Sequence, residues 1–216
     1  MSLNGAVATL GARAAPGDTV LLDGKRVALG HAGPARQGPR VLLYHKPVGE
    51  IVTRHDPSGR ATVFAALPAG RWVAVGRLDL NSSGLLLFTD SGELANRLMH
   101  PRYEVEREYH ARVRGRLGTR ELERLRAGVP LDDGAAAFTL IEPLPGHGAE
   151  GANRWYRVAL REGRNREVRR LFAAVGAQVS RLVRVRYGPI ALPGDLAPGE
   201  WRELAPREAA SLGQKL

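Results

Sequence analysis

Val75-Gly76-Arg77-Leu78-Asp79-Leu80-Asn81-Ser82-Ser83-Gly84 runs directly into Leu85-Leu86-Leu87-Phe88-Thr89-Asp90-Ser91-Gly92. The segment reads as strand, polar turn, second strand and helix start. Arg71 to Val75 and Leu85 to Phe88 have the β-branched and apolar content of strands. Asn81-Ser82-Ser83-Gly84 supplies the turn, and Asp90 with Glu93 resembles a capping box ahead of Leu94 to Met99. Arg77-Leu78-Asp79 thus falls in a loop at a strand end, where catalytic side chains are usually presented. A carboxylate that pairs with an arginine is held ionised, available as nucleophile or base. Spacing alone equally allows Asp79 to cap the turn through an Asx hydrogen bond.

Outward from this segment, further strands are expected at Val41 to Tyr44, Glu50 to Thr53, Glu106 to Arg114, Ala136 to Glu142, Trp155 to Leu160, Val179 to Tyr187 and Trp201 to Leu204. Thr119 can cap a helix through Arg126 that stops at Gly128. Strands outnumber helices and do not alternate strictly with them. The expected class is therefore α+β, with a mixed, mostly antiparallel sheet flanked by helices. Residues 1–29 read as short strands and turns, too little to fold alone. Residues 30–39 collect glycine, proline and alanine and read as a linker, leaving residues 40–216 as the main domain.

Another helix, Asn165 to Val175, places Val168, Leu171, Phe172 and Val175 on one buried stripe. Arg166, Arg169 and Arg170 then share the i, i+3, i+4 relation, with Arg164 just ahead behind Gly163. Such a cluster of guanidinium forks suits several phosphates or one carboxylate held bidentately; a solvated basic face is the plainer reading of one or two arginines. In the strand Glu106 to Arg114, alternation puts Arg107, Tyr109, Ala111 and Val113 on one face. Tyr109 there can stack on a base or serve as a core tyrosine.

Composition narrows the classes. Across 216 residues, 44% are hydrophobic and 25% charged, ordinary for a globular protein. No apolar run approaches the roughly 20 residues of a membrane helix, and Met1 to Val20 lacks the pattern of a secretory signal. No membrane partner and a cytoplasmic location are expected. The absence of cysteine excludes disulfides, cysteine zinc sites and thiol catalysis. The six histidines show no metal spacing and there is no phosphate-binding glycine loop, so no metal and no cofactor is assigned. The net charge of +10 points to a polyanion, nucleic acid first, although an arginine-rich composition would also raise it.

Beyond this point the residues are read by resemblance. Val75 to Asp79 with Gly84 to Gly92 resembles the signature segment of the ribosomal pseudouridine synthases. Lys46-Pro47 followed by Gly49, Glu106-Arg107-Glu108-Tyr109, and Gly163-Arg164-Asn165-Arg166-Glu167-Val168-Arg169-Arg170-Leu171-Phe172 resemble the family's other motifs, in the same order. The similarity runs from about Val41 to Leu204. Asn165 to Phe172 is more similar to the large-subunit type B branch than to the small-subunit type, which favours a histidine-glutamine pair at Arg166-Glu167. Asn4-Gly5 through Val27 resembles the back half of an S4 RNA-binding domain without its opening helices. Ser82 and Ser91 stand where threonine and aspartate are more usual.

The resemblance implies a pseudouridine synthase fold and an isomerase of a ribosomal uridine, without cofactor. The implied partner is ribosomal RNA, 23S or a large-subunit assembly intermediate, met by a monomer. Asp79 would be the catalytic carboxylate, Tyr109 would pack on the target base and Arg169 would pair with Asp79. Arg77 would fill the space left by the flipped uridine, and Lys46, Arg164, Arg166 and Arg170 would contact substrate. A non-catalytic ribosome-assembly factor would explain the charge equally well, as would a synthase acting on small-subunit RNA. Asp79 argues against the pure binder, because a carboxylate facing phosphate weakens attraction.

Overall fold

A computed structural model describes residues 1–9, 14, 17–27, 38–115, 117–145 and 153–214. The chain divides into two units, Met1–Gln37 and Gly38–Leu216. In the first, β1 (Ser2–Leu3), β2 (Ala6–Val7), β3 (Val20–Leu22) and β4 (Lys25–Val27) form an antiparallel sheet in the order β2-β1-β3-β4. The linker expected at 30–39 lies mostly outside the described residues.

The second unit runs β5 (Val41–Lys46), β6 (Val73–Val75), β7 (Ser83–Thr89), α1 (Gly92–Met99), β8 (Arg107–Arg114), α2 (Thr119–Ala127), β9 (Val129–Leu131), β10 (Gly134–Ala136) and β11 (Leu140–Pro143). It continues through β12 (Asn153–Leu160), α3 (Glu167–Ala173), β13 (Gln178–Tyr187), β14 (Ile190–Ala191), β15 (Trp201–Glu203) and α4 (Pro206–Gln214). One nine-stranded sheet has the order β11-β12-β8-β13-β7-β5-β15, with β14 beside β13 and β6 beside β7. Its pairs are antiparallel except β13 with β7, where Val183 faces Ser83 and Arg184 faces Gly84. The fold is α+β with a mixed, mostly antiparallel sheet.

The continuous apolar run of β7 follows from burial on both faces. Leu86 and Phe88 join a core with Leu125 of α2 and Val168, Leu171 and Phe172 of α3. Leu85 and Leu87 join a core on the other face with Leu94, Ala95 and Leu98 of α1 and Leu212 of α4. Each such leucine, valine or phenylalanine contributes about 1.5–3 kcal/mol on burial. Where β7 meets β13, Gly84 adopts φ +105°, and a Cβ there would collide with the Arg184 carbonyl oxygen. Gly84→Ala is expected to cost more than about 2 kcal/mol, because both the conformation and the parallel pairing are compromised. A urea midpoint equal to that of the unsubstituted protein would contradict this.

Several boundaries differ from expectation. Glu50 to Thr53 is not a strand; only Ile51 forms an isolated bridge, to Thr62, after the turn at Gly49 with φ +97°. Ala136 to Glu142 splits between β10, paired with β9, and β11, paired with β12. The α1 cap is Ser91, whose Oγ accepts the Leu94 N–H, while Asp90 instead accepts the Arg40 N–H at 2.9 Å. Thr119 is already helical, with Gly118 at the cap and its N–H donated to Glu121. Helix α3 starts two residues later than Asn165, because Arg166 takes a left-handed conformation (φ 49°) and cannot continue the helix. Helix α4 was not anticipated.

Candidate active site

The β6–β7 connection presents Asp79. Its main-chain carbonyl accepts the Ser82 N–H at 3.0 Å, closing the turn, and Leu80 accepts the Gly49 N–H at 2.8 Å. The side chain does not cap that turn. Its Oδ2 lies 3.2 Å from Arg166 Nη1 and 3.7 Å from Arg169 Nε. Residues almost ninety apart in sequence are thus joined by α3 packing over the strand ends.

Arg169 is held at several points. Nη1 donates to the Val179 carbonyl at 2.9 Å, and Nη2 donates to the Asn81 carbonyl at 3.1 Å and Ser82 Oγ at 3.3 Å. Its Nε is buried and has no hydrogen-bond partner. At 3.7 Å from Asp79 it is poised just outside hydrogen-bond range. Burial and the neighbouring Arg166 charge both disfavour the Arg169 cation, and Asp79 supports it. Arg166 is the more exposed partner, brought to Asp79 by its left-handed backbone.

Lys46, expected to meet substrate, is instead fully buried. Its ammonium donates to the carbonyls of Pro47 at 2.9 Å, Asp79 at 3.1 Å and Ser82 at 2.8 Å, so it braces the turn from beneath. Burial pushes its pKa down from 10.5 to about 8. A neutral amine has two protons for these three acceptors, so loss of the third frees one carbonyl of the turn. Turnover is therefore expected to fall as pH rises through about 8. Stability has the opposite sign. The folded pKa lies below the unfolded one, so the unfolded chain holds more protons between about 8 and 10.5, and this group's share of stability grows there with pH. Single-turnover rates from pH 6 to 10 check the claim, and a flat profile contradicts it.

Tyr109, on β8, is 9% exposed and faces a cavity of about 900 Å³ that Arg77, Asp79 and Arg166 also line. Leu78, Leu160, Val168 and Leu182 give it apolar walls. The volume suits a nucleotide, with planar apolar surface beside cationic groups. Arg77 is exposed.

The other two arginines are committed elsewhere. Arg170 donates from both Nη atoms to Asp133 at 2.9 and 2.8 Å, which holds that carboxyl down at about 2. Arg164 donates to Glu162 Oε2 and to the Gly134 and Ala135 carbonyls. The expectation that both meet substrate gives way to a local reason: the β9–β10 hairpin places acceptors against them. Arg164 still borders the cavity.

Glu167 and Arg184 are among the cavity residues given no role from the sequence. Glu167 is buried, and desolvation raises its pKa, although the Arg164 N–H donates to it at 3.1 Å. Arg184 is 2% exposed, donates from Nε to the Leu85 carbonyl at 2.7 Å and leaves Nη2 without a partner. Among the described residues, no group of three or more histidine, aspartate or glutamate side chains is placed to hold a metal.

Residues 40–174 match the family described as RNA pseudouridylate synthase. The chain is 56% identical to the ribosomal large subunit pseudouridine synthase B of Salmonella typhi, covering 94% of this chain and 70% of that protein. It is 50% identical to the Pseudomonas aeruginosa protein of that name, over 100% of this chain and 56% of the relative. Its fold is similar to a crystal structure of a pseudouridylate synthase, with a TM-score of 0.71 at 22% identity, over 98% of this chain and 87% of the other.

Proposed function

The chain belongs to the RNA pseudouridylate synthase family, and from that premise we propose that it isomerises a uridine of large-subunit ribosomal RNA with Asp79 as the catalytic carboxylate. The carrying observation is the Asp79 carboxylate between Arg166 and Arg169 at the mouth of a cavity walled by Tyr109. The large-subunit target is supported by the named function of the Salmonella typhi and Pseudomonas aeruginosa relatives.

In this reading the target nucleotide leaves its stack at a cost of a few kcal/mol and enters the cavity. Tyr109 packs on the uracil, and Arg77 occupies the space vacated in the RNA. Asp79 assists departure of uracil N1 from ribose C1′ as nucleophile or charge-stabilising group. The base turns until C5 faces C1′, the C5–C1′ bond forms, C5 gives up its proton and N1 takes one up. Atoms and electrons balance without oxidant, reductant or cofactor. Arg166 and Arg169 keep the carboxylate oriented, and Lys46 keeps its turn in place.

The test follows from the fate of the C5 hydrogen. Purified protein incubated with large-subunit RNA tritiated at uridine C5 should release tritium to water in the presence of EDTA. No release above background, with the RNA folded and bound, would contradict the proposal.

A further inference from the structure

The catalytic cavity lies on the face of the sheet that Tyr109 and Leu182 share. On strands β12, β8 and β13 the opposite face is built differently. Side chains alternate along a strand, so Glu108, His110, Arg112 and Arg114 of β8 point away from Tyr109. Helices α1 and α4 supply core residues of that face, packed against Val41, Leu43, Leu85 and Leu87 of β5 and β7 and against Tyr187 at the far end of β13. Its β12–β8–β13 part carries polar side chains.

These fall into two groups. Toward one end, Glu108 is held by Arg157 at 2.6 Å and by Arg186 at 3.0 Å, and the charges offset each other. Toward the other end, Arg112 pairs in register with Arg181 on β13 and with Trp155 on β12, and Arg114 follows two residues along. Arg112, Arg114 and Arg181 are all exposed, and Trp155 is half-buried. Among the described residues no carboxylate holds any of the three guanidiniums. Directly opposed residues bring their Cβ atoms to about 4.5–5.5 Å, where like charges destabilise the pairing. A fold that neutralises Arg157, Arg164, Arg170, Arg186 and Arg202 with carboxylates leaves these three uncompensated and adjacent.

We propose that the outer face of β12–β8–β13 is a second RNA-contact surface, on which Arg112, Arg114 and Arg181 take backbone phosphates of a ribosomal RNA segment other than the one entering the cavity. The choice of RNA as occupant rests on the proposed function. It is supported by charge complementarity, since a phosphate relieves the Arg112–Arg181 repulsion while releasing counterions. A large folded RNA can reach two faces of one enzyme, whereas a short stem-loop held in the cavity cannot. The surface would add affinity for long RNA and leave the chemistry alone.

The test uses the full chain with Arg112, Arg114 and Arg181 changed to Gln together, and separately Arg112→Glu with Arg181→Glu. Turnover on a short stem-loop carrying the target uridine should stay within about twofold of the unsubstituted protein, which also reports folding. Affinity for protein-free large-subunit RNA at 200 mM salt should fall about tenfold or more for the triple variant. Its salt slope should shrink by about two, at roughly 0.7–0.9 per phosphate contact. Unchanged long-RNA affinity and slope would overturn the proposal, whether the face is merely solvated or docks a protein. Loss of stem-loop turnover alongside long-RNA affinity would overturn it too, because the arginines would then act through the catalytic face. The binding arm does not depend on turnover by the unsubstituted protein, so failure of the catalytic reading would be seen separately.

Discussion

Asp79→Asn and Asp79→Ala are expected to lower turnover on a responsive rRNA fragment by about 10⁴-fold or more, with RNA affinity within about twofold. The carboxylate is one of many groups at the cavity mouth, and its negative charge contributes nothing to holding phosphate. Its value lies in the bond-breaking step, where neither an amide nor a methyl can serve. Asn keeps shape and hydrogen-bonding capacity, so the two substitutions together separate charge from packing. Asp79 also sits at the surface of the turn while the buried Lys46 ammonium binds only its main-chain carbonyl, so both variants should fold. Gel-shift affinity and single-turnover rate on the same fragment provide the check, and equal losses in both would mean that Asp79 docks RNA instead.

Arg169→Ala is expected to reduce turnover by about 10²–10³-fold, the loss typical of removing one preorganised charged group at a reacting centre. Arg169 joins Asp79, the Asn81 carbonyl and Ser82 on one side to the Val179 carbonyl on the other. Its removal leaves the carboxylate to the exposed Arg166 alone and unties α3 from the turn. Arg166→Ala should cost about tenfold, because its guanidinium is exposed and its ion pair is screened. Arg170→Ala should change neither turnover nor the salt slope of RNA binding, since Asp133 already occupies both of its Nη atoms. The ordering Arg169, Arg166, Arg170 in turnover is the observable. Equal effects of all three would mean an undifferentiated basic patch.

The central segment was legible because its local rules agree. A doubly buried strand needs the apolar run Leu85 to Phe88, and the polar turn before it leaves Asp79 at a strand end. The large strands of the sheet were also readable from their alternation, Tyr109 among them. The partner of Asp79 was not, since nothing local links residue 79 to residues 166 and 169; the family resemblance named Arg169, and Arg166 emerged only with the left-handed turn that aims it. Arg184 was hidden for a different reason. Register shifts between Val179 and Arg181 and between Arg184 and Arg186 break the parity of β13, so strict alternation misassigns its faces. The resemblance placed Lys46 at the substrate, and a fully buried lysine is rare enough that nothing local pointed inward. Only the three carbonyls that converge on its ammonium explain its position.

The measurement that bears most directly on the proposed catalysis is a pseudouridine map of large-subunit ribosomal RNA from cells lacking this protein. The map should be repeated after restoring either the unsubstituted chain or Asp79→Ala. The account predicts that a specific pseudouridine disappears without the protein, returns with the unsubstituted chain and stays absent with Asp79→Ala. An unchanged map in cells without the protein, or full restoration by Asp79→Ala, would contradict it.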